Sequence, residues 1–183
     1  MTGKNLFISI ILIVLVFAGA CTENTAPVQL AEQRSLAPPG QPLVAIGEII
    51  GVGQLGGVLV SGTIDTITFK VGLAQGEKSI NMENVTIIYG DAIRTETLVP
   101  VEGYRGSPPQ GAWGIIEVKN EIGNPNNRLD DNEQFIIQIN PKAPLVPRQL
   151  ITIAVQPPFG KSLILRRIAP STIMAENNIL TIV

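Results

Sequence analysis

The sequence predicts an all-β fold: an antiparallel, immunoglobulin-like β-sandwich of about 9–10 strands, preceded by an N-terminal apolar helix. Three observations predict it. Apolar and polar residues alternate over many short stretches, as in Ile67, Phe69, Val71 and Leu73 against Thr66, Thr68, Lys70 and Gly72. A period of two puts one face of a strand in the core and the other in solvent. Turn residues recur between those stretches, at Gly56-Gly57, Gln75-Gly76, Gly90-Asp91, Gly106–Gly111, Asn124–Asn127 and Pro157–Gly160. Beyond residue 42 no window has the amphipathic spacing of a helix, and frequent turns between short strands mean a sandwich.

The chain opens on the run LFISIILIVLVFAGA, Leu6 to Ala20, with Lys4 before it and Cys21 directly after it. A spanning helix needs about 20 apolar residues, so this run is short for one. A charged start, an apolar stretch and the small residues Ala18, Gly19 and Ala20 resemble a secretory signal. Three outcomes stay open at residues 1–21. Cys21 becomes a lipidated N-terminus that tethers the chain. The run is retained and packs as an assembly helix through Leu6, Ile8, Ile11, Leu12, Leu15 and Val16. A plain signal peptide is followed by a chance cysteine.

Residues 22–42 are polar and contain Pro27, Pro38, Pro39 and Pro42. Proline fixes its own φ and pushes the residue before it toward extended backbone. The segment is expected to be a tether, with a short helical turn at Val28–Arg34. At ~3.3 Å per residue its reach is tens of ångströms.

Residues 43–183 form the sandwich domain. Besides the stretch at Ile67, period-two strands are expected at Val85–Tyr89, Phe135–Ile139 and Ile151–Val155. Less regular ones are expected at Leu43–Ile50, Val58–Ser61, Ala92–Val99, Trp113–Val118, Leu163–Arg167 and Ile179–Ile182. Trp113 is expected in the core beside the Gly/Pro-rich stretch that includes Tyr104, rather than on a docking surface.

Composition narrows the function classes. The 183 residues carry 13 Lys/Arg and 15 Asp/Glu, with no histidine and one cysteine. A net charge of −2 leaves no basic stripe for phosphates, so no nucleic-acid partner is expected. One cysteine cannot form an intrachain disulfide, and no Cys/His metal site can be built. Histidine most often moves protons near neutral pH, so its absence argues against an enzyme, and no small-molecule substrate is expected.

Two glycine motifs are set aside. Gly51, Gly53 and Gly56 fit G-x-G-x-x-G, but the β-rich VLVSGTIDTITF follows where a dinucleotide site needs a helix. Gly160-Lys161-Ser162 looks like the end of a phosphate loop, but Val155 stands where its first glycine belongs.

The carboxylates Asp130, Asp131 and Glu133, with Asn126, make an oxygen-rich loop of the kind that suits Ca²⁺. The same residue types favour plain turns by bonding their own backbone. No cofactor is required, and a divalent cation is the one candidate. Asn84-Val85-Thr86 is an N-glycosylation sequon with a permitted middle residue.

Four motifs then fall in order. Ile64, Ile67, Phe69 and Val71 fit I-x-x-I-x-F-x-V. Val85, Thr86, Ile87 and Tyr89 fit V-T-I-x-Y. Glu133, Phe135 and Ile137 fit E-x-F-x-I after an acidic turn, and Pro170, Ile173, Asn178 and Leu180 fit P-x-x-I…N-x-L. Together they resemble the outer domain of archaellins, the archaeal flagellins, over residues 43–183. The resemblance implies an apolar N-terminal helix bundled in a filament core, and a β-sandwich outside that contacts neighbouring subunits. It also implies N-glycosylation, for which Asn84 is the candidate, and in some members a divalent metal. The N-terminus departs from that pattern: only Lys4 is basic before the run, and no Asp or Glu occurs before Glu23.

The expected function is that of a structural filament subunit for motility, outside the cell, with copies of itself as partners. The alternative is an envelope protein lipid-anchored at Cys21, bound to the surface layer or the filament base. A secreted carbohydrate-binding module is a third and more distant reading.

Overall fold

The structure, a computed structural model, describes residues 37–56, 62–101, 106–121, 123 and 125–183. Among them it places eleven strands: β1 (Leu43–Gln54), β2 (Thr63–Leu73), β3 (Ile80–Asn81), β4 (Thr86–Asp91), β5 (Thr95–Pro100), β6 (Ala112–Lys119), β7 (Arg128–Leu129), β8 (Gln134–Asn140), β9 (Leu150–Gln156), β10 (Leu163–Ile168) and β11 (Asn178–Ile182). One 3₁₀ turn, Met82–Asn84, is the helical element among the described residues. The expected apolar helix, Cys21 and the Val28–Arg34 turn lie outside the described residues, as does the Val58–Ser61 strand.

The all-β class holds, but the sheets are joined. Nine strands hydrogen-bond in the closed order β1-β11-β10-β9-β4-β5-β6-β8-β2. One side is β1-β2-β8-β6, with long antiparallel registers such as Ile67↔Ile139 and Ile115↔Ile137. The other is β10-β9-β4-β5, with Leu165↔Ile153 and Tyr89↔Ile153. Short pairings stitch the two: β11 pairs with β1 at Ile49–Gly51 and with β10 at Arg167 and Ile168. The other seam, β5–β6, pairs Val99↔Ala112 and Pro100↔Trp113 and is parallel, which corrects the wholly antiparallel expectation. Its direction follows from the connection between residues 100 and 112, which is too long for a hairpin and returns the chain to the rim where β5 began. Closure removes the unpaired edges that invite aggregation.

The period-two residues do what their spacing demands. Ile67, Phe69, Val71 and Leu73 of β2, and Ile151, Ile153 and Val155 of β9, fill the interior with Ile87, Tyr89, Leu98, Phe135, Ile137 and Ile139. Trp113 is buried among them. β8 departs from alternation: Gln134 through Ile139 are buried on both faces. Gln138 donates to the Thr68 hydroxyl at 3.2 Å on its outward side.

β3 and β7 pair through Ile80↔Leu129 and form a two-stranded ribbon of their own. Both apolar residues are buried, so the ribbon plugs one rim of the barrel. That rim also carries the starts of β1, β4 and β10 and the ends of β2, β6 and β9. The last residues of the expected tether meet it: Gln41 N–H donates to the Pro38 carbonyl at 3.0 Å, and Lys161 N–H to the Gly40 carbonyl at 2.7 Å.

Candidate functional site

The acidic turn lies on the plugged rim, between β7 and β8. Glu133 is buried, 1% exposed, and its carboxylate accepts the Asp130 N–H at 3.1 Å. Its own N–H donates to the Asp130 carbonyl at 3.2 Å, so the two residues close the turn on each other. Asp131 Oδ1 accepts the Asn132 N–H at 3.0 Å, and Asn132 takes a φ of 67°, which asparagine tolerates better than most residues. Asp130 faces the Arg128 guanidinium at 3.6 Å. Asn126 Oδ1 accepts the Arg128 N–H at 2.6 Å, and Asn126 N–H donates to Glu121 at 3.2 Å. The four residues proposed for a cation therefore share one rim, but Glu133 and Asn126 spend oxygens on local backbone. Among the described residues no three Asp, Glu, His or Cys side chains converge on one point.

Beside it, the 3₁₀ turn is held by asparagines. Asn81 Oδ1 accepts the Glu83 N–H at 3.0 Å. Glu83 accepts from Asn127 Nδ2 at 3.0 Å and from Asn81 Nδ2 at 3.2 Å. Those hydrogen bonds, Asn127's first, hold its carboxyl below the usual range. The sequon follows directly. Asn84 and Thr86 are exposed while Val85 between them is buried, so the acceptor and its hydroxyl partner stand on the surface.

The turn between β4 and β5 was only partly legible in the sequence. The expected Ala92–Val99 strand begins at Thr95, and Asp91 is the last residue of β4. The buried Asp91 carboxylate accepts from the Ile93 N–H at 2.8 Å, the Arg94 N–H at 3.0 Å and the Arg94 guanidinium at 2.9 Å. Burial pushes its pKa up, but these donors outweigh burial and leave it below the ordinary aspartate value. Burial first, then Asp91's charge, pushes the Tyr89 phenol well up. The signal for this turn was present as Asp91 three residues ahead of Arg94.

The glycine motifs serve the backbone. Gly51 and Gly53 lie within β1, whose register shifts between Val52 and Gly53. A Cβ on Gly53 would overlap the Thr63 carbonyl oxygen. Gly160, at a φ of 77°, turns the chain against Pro42. An open cleft beside that turn is lined by Pro38, Pro39, Leu73, Glu77 and Asp131.

A family model for archaeal-type flagellin matches residues 6–167. No curated protein matches the sequence. The crystal structure of an archaeal flagellin from Methanocaldococcus jannaschii is similar at a TM-score of 0.53 and 14% identity, over 73% of this chain and 93% of that one. The archaeal flagellum of Methanospirillum hungatei is similar at 0.53 and 18% identity, over 78% of this chain and 72% of that one. At such identities the likeness to both is one of fold.

Proposed function

Because this chain belongs to the archaeal-type flagellin family, we propose that it is a structural subunit of an archaeal flagellum filament, with Leu6–Ala20 packed in the core and the β-barrel outside. One observation carries this reading. The family match starts at residue 6 and takes in the whole apolar run together with the barrel through β10. That the run falls inside the family's own extent supports its use in assembly over its removal beforehand.

Assembly is then the whole mechanism. Burying apolar side chains is worth about 25 cal/mol per Å², so a 15-residue helix supplies several kcal/mol per subunit contact. The reading needs no catalytic step. Intact-mass spectrometry of subunits from isolated filaments tests it. A chain that retains Leu6–Ala20 supports it; a lipid adduct on a chain beginning at Cys21 overturns it in favour of the anchored protein. Leu12→Asp is expected to abolish filaments and Cys21→Ser to leave them intact.

A divalent cation at the Asp130–Asp131 turn is a separate proposal. It would draw on those two carboxylates and displace Arg128 from Asp130. Chelation is expected to lower the unfolding temperature of the wild type but not of Asp130→Ala/Asp131→Ala. An unchanged wild-type midpoint ends it.

A further inference from the structure

The strand registers divide the side chains of β1, β2 and β8 into an inner and an outer set. Ile67, Phe69 and Val71 of β2 face the core with Ile139, Ile137 and Phe135 of β8. Between them Thr68, Lys70 and Gly72 face outward, beside Gln138, Ile136 and Gln134. On β1 the outward residues include Val44, opposite Gly72, and Ile46, opposite Lys70. An outward apolar side chain on the far side of the barrel is half exposed: Ile164 of β10, opposite Ala154, is 50% exposed. Val44, Ile46 and Ile136 are 3%, 1% and 8% exposed, although the ring of nine strands places no strand over them. None of the three belongs to the interior cluster.

This outer face is flat, and it holds a buried acceptor without a donor. Gly72 lets Ile46 lie across β2: a Cβ there would come within 2.8 Å of Ile46 Cδ1. Gly114 of β6, opposite Gln138, is buried as well. Gln138 is 7% exposed, and its Nε2 is engaged with Thr68. Its buried Oε1 has no hydrogen-bond partner among the described residues. Buried polar groups in native proteins are nearly always paired, so this oxygen calls for a donor that approaches from outside the sheet.

The chain itself arrives at this face. Ala37 and Pro38 line the plugged-rim cleft together with Val44 and Asp131, so the outward side of β1 is continuous with the first described residues. Their approach is fixed: the Gly40 carbonyl accepts from Lys161, and the Pro42 carbonyl accepts the Ala74 N–H at 2.9 Å. Just ahead of Ala37 stand Leu30, Gln33, Arg34 and Leu36. Four strands spaced ~4.8 Å apart are about 14 Å across, and residues 30–36 extend up to ~20 Å. We propose that residues 30–36 pack over the outer face of β1, β2, β8 and β6 of their own barrel. Leu36 covers Val44 and Ile46, Leu30 covers Ile136, and the Gln33 amide donates to Gln138. Arg34, the one cation of residues 22–42, comes within reach of Asp131. The segment that reads as a free tether is then part of the barrel wall, and the barrel cannot swing freely on what precedes it. This goes beyond the filament reading and does not need it, because residues 30–36 stay on the chain whether the apolar run is kept or removed at Cys21.

Trypsin tests this on the full-length chain in detergent, with Arg34 as the reporter. Cleavage after Arg34 should be slow in the wild type. It should be about tenfold faster in Ile136→Glu and in Leu36→Ser, since cleavage follows the population of the undocked segment. Cleavage after Lys70 and Arg166, within β2 and β10, should stay at the wild-type rate and show that the barrel is intact. Rapid cleavage after Arg34 in the wild type, or no acceleration in either variant, overturns the proposal and leaves the stems of Lys70 and Glu117 as the cover of this face.

Cysteine pairing is a second measurement for the case in which Ile136→Glu unfolds the barrel. In a Cys21→Ser background, Leu36→Cys/Ile136→Cys should close a disulfide within one chain on mild oxidation. The chain should run as a monomer without reductant, and its tryptic digest should join residues 35–70 to residues 129–142. A mixture of Leu36→Cys and Ile136→Cys chains should give no such joined pair. No disulfide in the double variant overturns the proposal. A disulfide dimer from the mixture overturns it too, and assigns the face to the segment of a second copy. A chain that forms no filament but shows both protection at Arg34 and the intrachain disulfide removes the filament reading and keeps this contact.

Discussion

Asn178 holds Met174 by both of its backbone groups. Its side-chain Oδ1 accepts the Met174 N–H at 2.7 Å, and its Nδ2 donates to the Met174 carbonyl at 2.7 Å. The same Nδ2 reaches the Gly51 carbonyl of β1 at 3.2 Å. Asn178 is 1% exposed, and it is the first residue of β11, the strand that stitches β1 to β10. One amide thus shapes the loop after β10 and fixes where the last strand enters the barrel.

Asn178→Ala should therefore cost more than a surface substitution. It strips partners from the buried Gly51 carbonyl and from both backbone groups of the half-exposed Met174, which water can reach. A buried group left without a partner costs about 1–3 kcal/mol, and the total should be of that size. The urea midpoint of the full chain checks this. A change below about 0.5 kcal/mol would mean that β11 is placed by its apolar residues alone.

Gly53→Ala tests the role given to the glycines of β1. The added methyl must displace the Thr63 backbone at the seam of β1 and β2. Overpacking of that kind costs about 1–3 kcal/mol. Gly90→Ala is the control. Its Cβ would meet nothing closer than 3.5 Å, so its effect should stay within about 0.5 kcal/mol. Equal midpoints for the two variants would remove the close approach as the reason for Gly53.

The contrast between these sites and the strands shows what the sequence could disclose. Alternation at Ile67–Leu73 and Ile151–Val155 marks strands because the sheet has period two. It does not say which strands meet, so closure through β11 and the parallel β5–β6 seam stayed hidden. β3 and β7 are two residues each, too short for any period. Gln134 and Gln138 broke the pattern, since β8 is buried on both faces and polarity there does not mean solvent. At the acidic turn the residue types were plain, but their directions were not: Glu133 turns inward to cap Asp130, which spacing cannot reveal.

The turn at Asp91 gives the barrel a dependence on pH. The carboxyl's pKa is lowered in the folded state, so folding favours its charged form. Its contribution is present above the unfolded pKa, about 4, and drains away as pH falls through the lower folded value. Asp91→Asn should cost about 1–2 kcal/mol at pH 7 and much less near pH 2. Unfolding midpoints at both pH values check this. An Asn variant whose deficit is the same at both would show that the charge on Asp91 contributes nothing.

Asn84 is the last site with a definite outcome. The sequon ends a 3₁₀ turn and opens β4, with Val85 pinned in the core between two exposed partners. A glycan at Asn84 would project from the plugged rim without entering the barrel. Cleavage after Lys78 and Arg94 releases residues 79–94, which contain this one sequon. We expect that peptide from isolated filaments to carry a glycan mass, and expect Thr86→Val to remove it. Valine keeps the strand preference of threonine, so the variant should unfold within about 0.5 kcal/mol of the unglycosylated wild type. An unmodified peptide from native filaments would leave Asn84 as a turn residue that ends the helical turn before β4.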